Sequence, residues 1–389
     1  MAFLFCFLRE IAVAADDTIL DSPERMLAGD PGRMLAATAD AGAQVRRGLA
    51  EANRDIISAV AAEGRPRAVV VTGMGGSGIS GQVIEAFANH GSPIPVVSSR
   101  GYGLPSWVGP DDMVIALSCS GTTEETITAA KEAGRRGARL VSITSANSIL
   151  EGVTQSMKGA QTLVINARGL MPRASMWTLL TPLLMLGNAL RVVEVSDRDL
   201  EIAADFIDEV ANDCAVEKSI DENPAKLLAL QFASSLPMIW GTGAVGPVAS
   251  YRVISQLAEN AKIPAIHGEI PESQHNQVVV LDGPLAGSTS IDEIFKSQDG
   301  QAARKFRLVL LRDSIEHPQM SKRADIVTEI AQRRNVPVSR VDAYGSHIVH
   351  RLASLIAVTD WSSVYAALAL GIDPSPIGPI NELKARLQD

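Results

Sequence analysis

The stretch from Arg67 to Gly81 reads RAVVVTGMGGSGISG. Its first half is a short run of β-branched residues without polar alternation, the pattern of a strand buried on both faces of a parallel sheet. Its second half places five glycines among small residues where a helix should begin. Glycine permits positive φ and lets a backbone approach a ligand closely. The free N–H groups of a helix start favour an anion. A tight strand-to-helix turn without a ligand explains the same residues. No acid ends the next strand, where Val96-Val97-Ser98-Ser99-Arg100 stands, so a dinucleotide site is disfavoured. No GK[ST] follows, so a nucleotide P-loop is disfavoured as well.

The pattern continues downstream. PVVS (95–98), DMVIAL (112–117), RLVSIT (139–144) and TLVIN (162–166) read as strands, with helices near 80–89, 123–137 and 175–190. An acidic stretch, 194–222, reads as connecting helix. The alternation then restarts. LPMIWG (236–241), QVVVLD (277–282), FRLVLLR (306–312) and 336–341 read as strands, with helices at 247–261, 321–333 and 347–370. Short apolar strands alternating with helices imply an α/β fold of two flavodoxin-like units. Each is expected to be a doubly wound parallel sheet with helices on both faces. The expected division is an N-terminal extension (1–30, poorly ordered), a first domain (31–195), a linker helix (196–222) and a second domain (223–389).

Composition narrows the function classes. A chain of 389 residues with 46% hydrophobic and 20% charged residues can build two cores and is not a disordered tail. A formal charge of −9 without a basic stripe makes nucleic acid a poor partner. Three cysteines, Cys6, Cys119 and Cys214, give no disulfide framework and suit a reducing cytoplasm. The opening MAFLFCFLREIAVAA lacks the basic start of a secretory signal. No run reaches the ~18–20 apolar residues of a membrane span, so no membrane association is expected.

The segment Ser118-Cys119-Ser120-Gly121-Thr122-Thr123 also follows a strand and opens a helix, with four hydroxyls in six positions. Capping by Thr122 or Thr123, with Glu124 or Glu125 near the capping-box position, accounts for one hydroxyl. Several hydroxyls beside helix N–H groups make a cradle for phosphate oxygens.

These two loops resemble the phosphosugar-binding loops of sugar isomerase (SIS) domains. Tyr251-Arg252 and Gln256-Leu257-Ala258-Glu259-Asn260-Ala261-Lys262, then Gly268-Glu269-Ile270-Pro271-Glu272-Ser273-Gln274-His275-Asn276, resemble the signature of the bifunctional phosphoglucose/phosphomannose isomerases. The resemblance runs from about residue 30 to the C-terminus. It implies an aldose–ketose isomerase that links glucose 6-phosphate and mannose 6-phosphate to fructose 6-phosphate through a cis-enediolate, without metal or other cofactor. It implies Glu259 as base and His275 as the ring-opening group. His275 would come from the neighbouring subunit of a homodimer. Arg173, after Pro172, would support the enediolate, and Lys384 would assist at the ring oxygen. Gly75, Gly76, Ser77, Ser118, Ser120 and Thr123 would hold the phosphate.

Each residue has a plainer reading. Glu259 could be a solvated helix glutamate, His275 a loop histidine, Arg173 half of a surface ion pair and Lys384 an exposed terminal lysine. Cys119 and Thr122 stand where Tyr and Asn are expected from the resemblance, and Gly268 stands where Asn is expected. His347 and His350 are i,i+3 on an expected helix, and no neighbouring carboxylate or cysteine completes a zinc set. A non-catalytic sugar-phosphate sensor would use the same loops without Glu259 or His275. An amino-sugar isomerase is disfavoured because no glutaminase-type N-terminal Cys domain is present.

Overall fold

The computed structural model describes residues 15–287 and 305–387. Four helices lead in: α1 (Pro23–Ala28), α2 (Met34–Ala39), α3 (Ala41–Glu51) and α4 (Arg54–Ala62). The first sheet follows as β1 (Val69–Thr72), α5 (Gly75–Ala88), β2 (Val96–Ser99), β3 (Met113–Ser118), α6 (Glu124–Arg135), β4 (Arg139–Ser145), α7 (Ile149–Gln155) and β5 (Gln161–Ile165). Its strands are all parallel, in the order β2-β1-β3-β4-β5. That is the flavodoxin-like order, and it puts a topological switch point between β1 and β3. The central strands β1 and β3 are buried at every residue, as their unbroken apolar runs predict.

Helices α8 (Met176–Ala189), α9 (Asp197–Asp213) and α10 (Pro224–Ala233) connect to a second sheet. It comprises β6 (Leu236–Gly241), α11 (Gly246–Gln256), β7 (Ile266–Glu269), β8 (Phe306–Arg312), α12 (Pro318–Arg333) and β9 (Val338–Asp342). These strands too are parallel, in the order β7-β6-β8-β9. The long helix α13 (Ile348–Ala369) and the terminal α14 (Gly378–Arg386) complete the chain.

One expected strand is corrected. Gln277–Asp282 is not a strand but a 3-10 helix, and the edge strand of the second sheet is β7. Local β-propensity loses to tertiary context here. Val279 is 68% exposed and Leu281 alone of the segment is buried. Gln277 accepts from Trp240 Nε1 at 2.9 Å and donates to His267 O at 2.9 Å, so the segment braces the sheet edge rather than pairing with it. Helix α13 is long and apolar enough to cross a membrane, yet its most apolar stretch is 94% buried inside the protein, as in a core helix.

Residues 15–30 pack onto the second half. Leu20 and Met26 are fully buried in the main core. Asp16 N donates to Ala369 O at 2.8 Å. The buried Lys226 ammonium donates to the carbonyls of Leu20, Val216 and Lys218 at 2.6, 3.0 and 2.6 Å. Cys6 lies outside the described residues.

Candidate active site

The switch point between β1 and β3 is built from two glycine-bearing turns. In the first, Gly75 adopts φ +54°, and α5 begins there with no side-chain cap. A Cβ on Gly76 would lie 3.1 Å from Pro172 O, so the missing side chain lets the start of α5 press against the Pro172–Ala174 3-10 turn. Ser77 is buried, and its hydroxyl makes no hydrogen bond among the described residues.

In the second turn, Ser118 Oγ accepts from Gly121 N at 3.0 Å and shares a 3.0 Å hydrogen bond with Thr123 Oγ1. Ser120 Oγ pairs with Thr122 Oγ1 at 3.0 Å. Gly121 adopts φ +66°, and a Cβ there would sit 2.2 Å from Ser148 Cβ. Thr123 occupies the N-cap position of α6, but its side chain makes no cap bond. Both helix starts therefore present uncapped N–H groups to the crevice, ringed by hydroxyls that bond only to one another or to the turn. Such an arrangement binds an anion with several oxygens.

Arg173 is 4% exposed. Its Nε donates to Asn260 Oδ1 at 2.7 Å, and its Nη2 donates to the carbonyls of Pro374 and Ser375 at 2.7 and 2.8 Å. Its Nη1 stands 3.9 Å from Glu259 Oε2. Burial pulls the Arg173 guanidinium below its ordinary value, while Glu259 and Asp373 oppose that pull. With these partners the group remains a fixed cation.

Glu259 sits in a π-helical turn, Leu257–Ala261, that ends α11. Such turns often mark functional positions. The side chain is 28% exposed, and Arg173 is its one ion-pair partner among the described residues. Lys262 closes the turn in a left-handed conformation, and its Nζ donates to Glu259 O and Asn260 O at 2.8 and 3.1 Å. Burial lowers the Lys262 pKa, with the neighbouring Arg173 acting in the same direction.

A further layer holds this pair. Arg252 Nη2 bonds Asp360 Oδ2 at 2.6 Å and donates to Arg173 O at 3.2 Å. Gln256 Nε2 also reaches Asp360, at 3.3 Å. Asn260 Nδ2 donates to Ser363 Oγ at 2.9 Å. Helix α13 thus orients both the arginine and the turn that carries the glutamate. Sequence reading assigned no role to Asn260, Arg252 or Asp360. Asp360 in particular carries no local signal, because it stands in an apolar helix far from either motif.

The chain brings together Gly76, Arg173 and Glu259. No hydrogen bond or ion pair joins His275 or Lys384 to them among the described residues. His275 is exposed, follows a cis Ile270–Pro271 bond, and its ring has no hydrogen bond among the described residues. Lys384 lies on α14, which buries none of its residues.

For a metal, the fold supplies what local spacing did not. Asp199 joins His347 and His350, with potential ligand atoms within 4.8 Å of one another. Their hydrogen bonds already explain them. The His347 and His350 Nδ1 atoms accept from Val349 N and His347 N at the start of α13. Their Nε2 atoms bond Glu194 O and Asp199 O at 2.8 and 3.0 Å. All four ring nitrogens are thereby committed to capping α13 and tying it to the α8–α9 connection.

Comparison with known proteins fits this geometry. The SIS domain family model matches residues 65–164, and the model of the bacterial phosphoglucose isomerase C-terminal SIS domain matches 221–387. A bifunctional phosphoglucose/phosphomannose isomerase of Caldicellulosiruptor bescii is 31% identical over 82% of this chain and 89% of its own length. This chain belongs to the bifunctional phosphoglucose/phosphomannose isomerase family. It is an isomerase built from SIS domains. A second relative of that name, from Aquifex aeolicus, is 28% identical over 83% of this chain and 91% of its own. In fold, a hypothetical protein of Thermus thermophilus aligns over 94% of this chain and 93% of its own, with TM-score 0.66 at 16% identity.

Proposed function

We propose that this enzyme interconverts glucose 6-phosphate and mannose 6-phosphate with fructose 6-phosphate. The observation that carries the reading is the buried Arg173 held 3.9 Å from Glu259, directly beside the first anion-binding turn. The phosphate docks on Ser77, Ser118, Ser120, Thr123 and the N–H groups of Gly75 and Gly76. The sugar then extends toward the π-helical turn.

Glu259 removes the proton from C2 of the open aldose. The C–H electron pair forms the C1–C2 double bond, and the carbonyl π pair moves to O1, giving an enediolate. Arg173 is a fixed donor that stabilises that developing charge. Glu259 returns the proton to C1 as O2 becomes the ketone and O1 takes up its proton. One base serves both aldose epimers because the planar enediolate has lost the C2 configuration and, by turning about C2–C3, presents either face of C2 to Glu259.

Ring opening is assigned to His275, delivered by a second copy of the chain. His275 is exposed and its ring has no hydrogen bond among the described residues, which supports a role in a shared site. Lys384, also unengaged, is assigned to the ring oxygen and hydroxyls. The reaction moves protons without net redox change, and Arg173 supplies the cation, so we assign no metal or cofactor. The sparse cysteines suit a cytoplasmic location.

The test is a coupled assay on both aldose phosphates after exhaustive chelation. Turnover of both is expected. A folded protein inert toward both would leave the sensor reading in its place.

A further inference from the structure

At the opposite end of the first sheet's strands from the sugar-phosphate turns lies a second cleft of about 520 Å³, a volume suited to a small metabolite. Arg65 and His90 reach it from the amino-terminal side of β1 and β2. Arg191 enters from the end of α8, and His347 and Arg351 from the start of α13. Both halves of the molecule therefore build its wall.

Its charge is unusual for a chain of net charge −9. Many arginines elsewhere, such as Arg46, Arg67 and Arg334, are paired with carboxylates, though Arg33, Arg100, Arg307 and Arg323 have no ion pair among the described residues. Arg65 and Arg191 stand exposed at the cleft mouth, and their side chains have neither ion pair nor hydrogen bond among the described residues. Arg351 is 5% exposed. Its Nε is held by Asp313 Oδ1 at 2.6 Å, and its Nη2 has no protein acceptor among the described residues. Glu194 also lines the cleft and is the carboxylate that opposes these cations. The amino terminus of the 22-residue α13 adds partial positive charge at the same wall.

We propose that this cleft is an effector site for a small metabolite bearing two anionic groups, such as a phosphorylated carboxylic acid. Two unpaired guanidiniums match two anionic groups, and guanidinium is the side chain that binds phosphate and carboxylate bidentately. A physical link leads from the cleft to the reaction. Arg351 holds Asp313, and Asp313 Oδ2 accepts from Ala244 N at 3.0 Å and Val245 N at 3.4 Å. Those amides start α11, and the far end of α11 is the π-helical turn of Glu259. A ligand that pulls on Arg351 acts on one end of the helix that carries the base.

The site itself rests on geometry alone, so binding is read without turnover. 3-Phosphoglycerate is titrated calorimetrically into the full-length protein, into Arg65→Ala/Arg191→Ala and into Ser118→Ala/Ser120→Ala. The arginine variant should bind at least ten-fold more weakly, and the serine variant should bind as the unaltered protein does. Equal binding by the arginine variant overturns the site, as does no binding by any form. Loss in the serine variant alone would place the probe in the sugar-phosphate crevice and overturn it too. In the isomerase assay, 3-phosphoglycerate should change kcat of the unaltered enzyme and not that of the arginine variant, whose basal KM should stay within two-fold. Velocity that ignores a bound probe overturns the effector role.

Discussion

Each half of the molecule runs a parallel strand into a glycine turn and then a helix, but the two turns end differently. After β1, the turn at Gly73–Ser77 starts α5 without a side-chain cap. After β6, the turn at Thr242–Val245 is plugged by Asp313, which is 2% exposed and accepts from Ala244 N and Val245 N. Gly243, at φ +64°, is needed there because a Cβ would lie 2.4 Å from Asp313 Cβ. The same backbone device is left uncapped in one half and filled by an internal carboxylate in the other. Repeated architecture therefore does not imply repeated binding sites. Function follows from which anion completes the turn.

The largest expected effect breaks the plugged turn. Asp313→Ala leaves the buried Arg351 guanidinium unpaired and strips three amides, those of Ala244, Val245 and Ile315, of their acceptor. It should lower stability by about 3–5 kcal/mol in a denaturant titration. A loss under ~1 kcal/mol would mean that the plug is incidental.

The open turn should respond the other way. Ser118→Ala/Ser120→Ala should raise KM for the hexose phosphates about 10- to 100-fold, since a hydrogen bond to a charged group contributes roughly 1.5–3 kcal/mol. Unfolding should shift little. A large stability loss with an unchanged KM would erase the contrast between the two turns.

The smallest effect concerns acid. Of the six histidines, His90 alone falls in the first half. Burial holds His267 and His350 below their ordinary pKa. The folded chain keeps them neutral while the unfolded chain protonates them near pH ~6.5. Below that value the unfolded state binds more protons, so stability should decline as pH falls from ~6.5 through the lowered folded values. His350→Gln should flatten part of this slope. An unaltered slope would place the acid sensitivity elsewhere.

Much of this contrast is visible in the sequence, and some of it is not. VVVT and MVIALS announce buried parallel strands because nothing polar interrupts them. The hydroxyls at 118–123 announce a polar turn because one cap cannot use them all, and the fold does gather them at the start of α6. By contrast, β7 is only the four residues IHGE, with Ile266 exposed, and carries no periodic signal. QVVVLD carries that signal falsely, because its Gln277 braces the sheet edge while the segment winds into a 3-10 helix instead of joining it. The lock on Arg173 comes from carbonyls of Pro374 and Ser375, the former 201 residues away, and backbone carbonyls have no sequence signature. Asp313 reads as an ordinary loop acid until the fold sets it beneath Ala244.

The central claim is that Glu259 moves the proton between C1 and C2. Glucose 6-phosphate and fructose 6-phosphate incubated with enzyme in D₂O, with the sugars followed by NMR, test it directly. The unaltered enzyme should exchange deuterium into C2 of the aldose and C1 of the ketose. Glu259→Gln should do so at least a thousand-fold more slowly while still binding the sugar phosphate. Exchange by the folded variant at a rate near that of the unaltered enzyme would contradict the account.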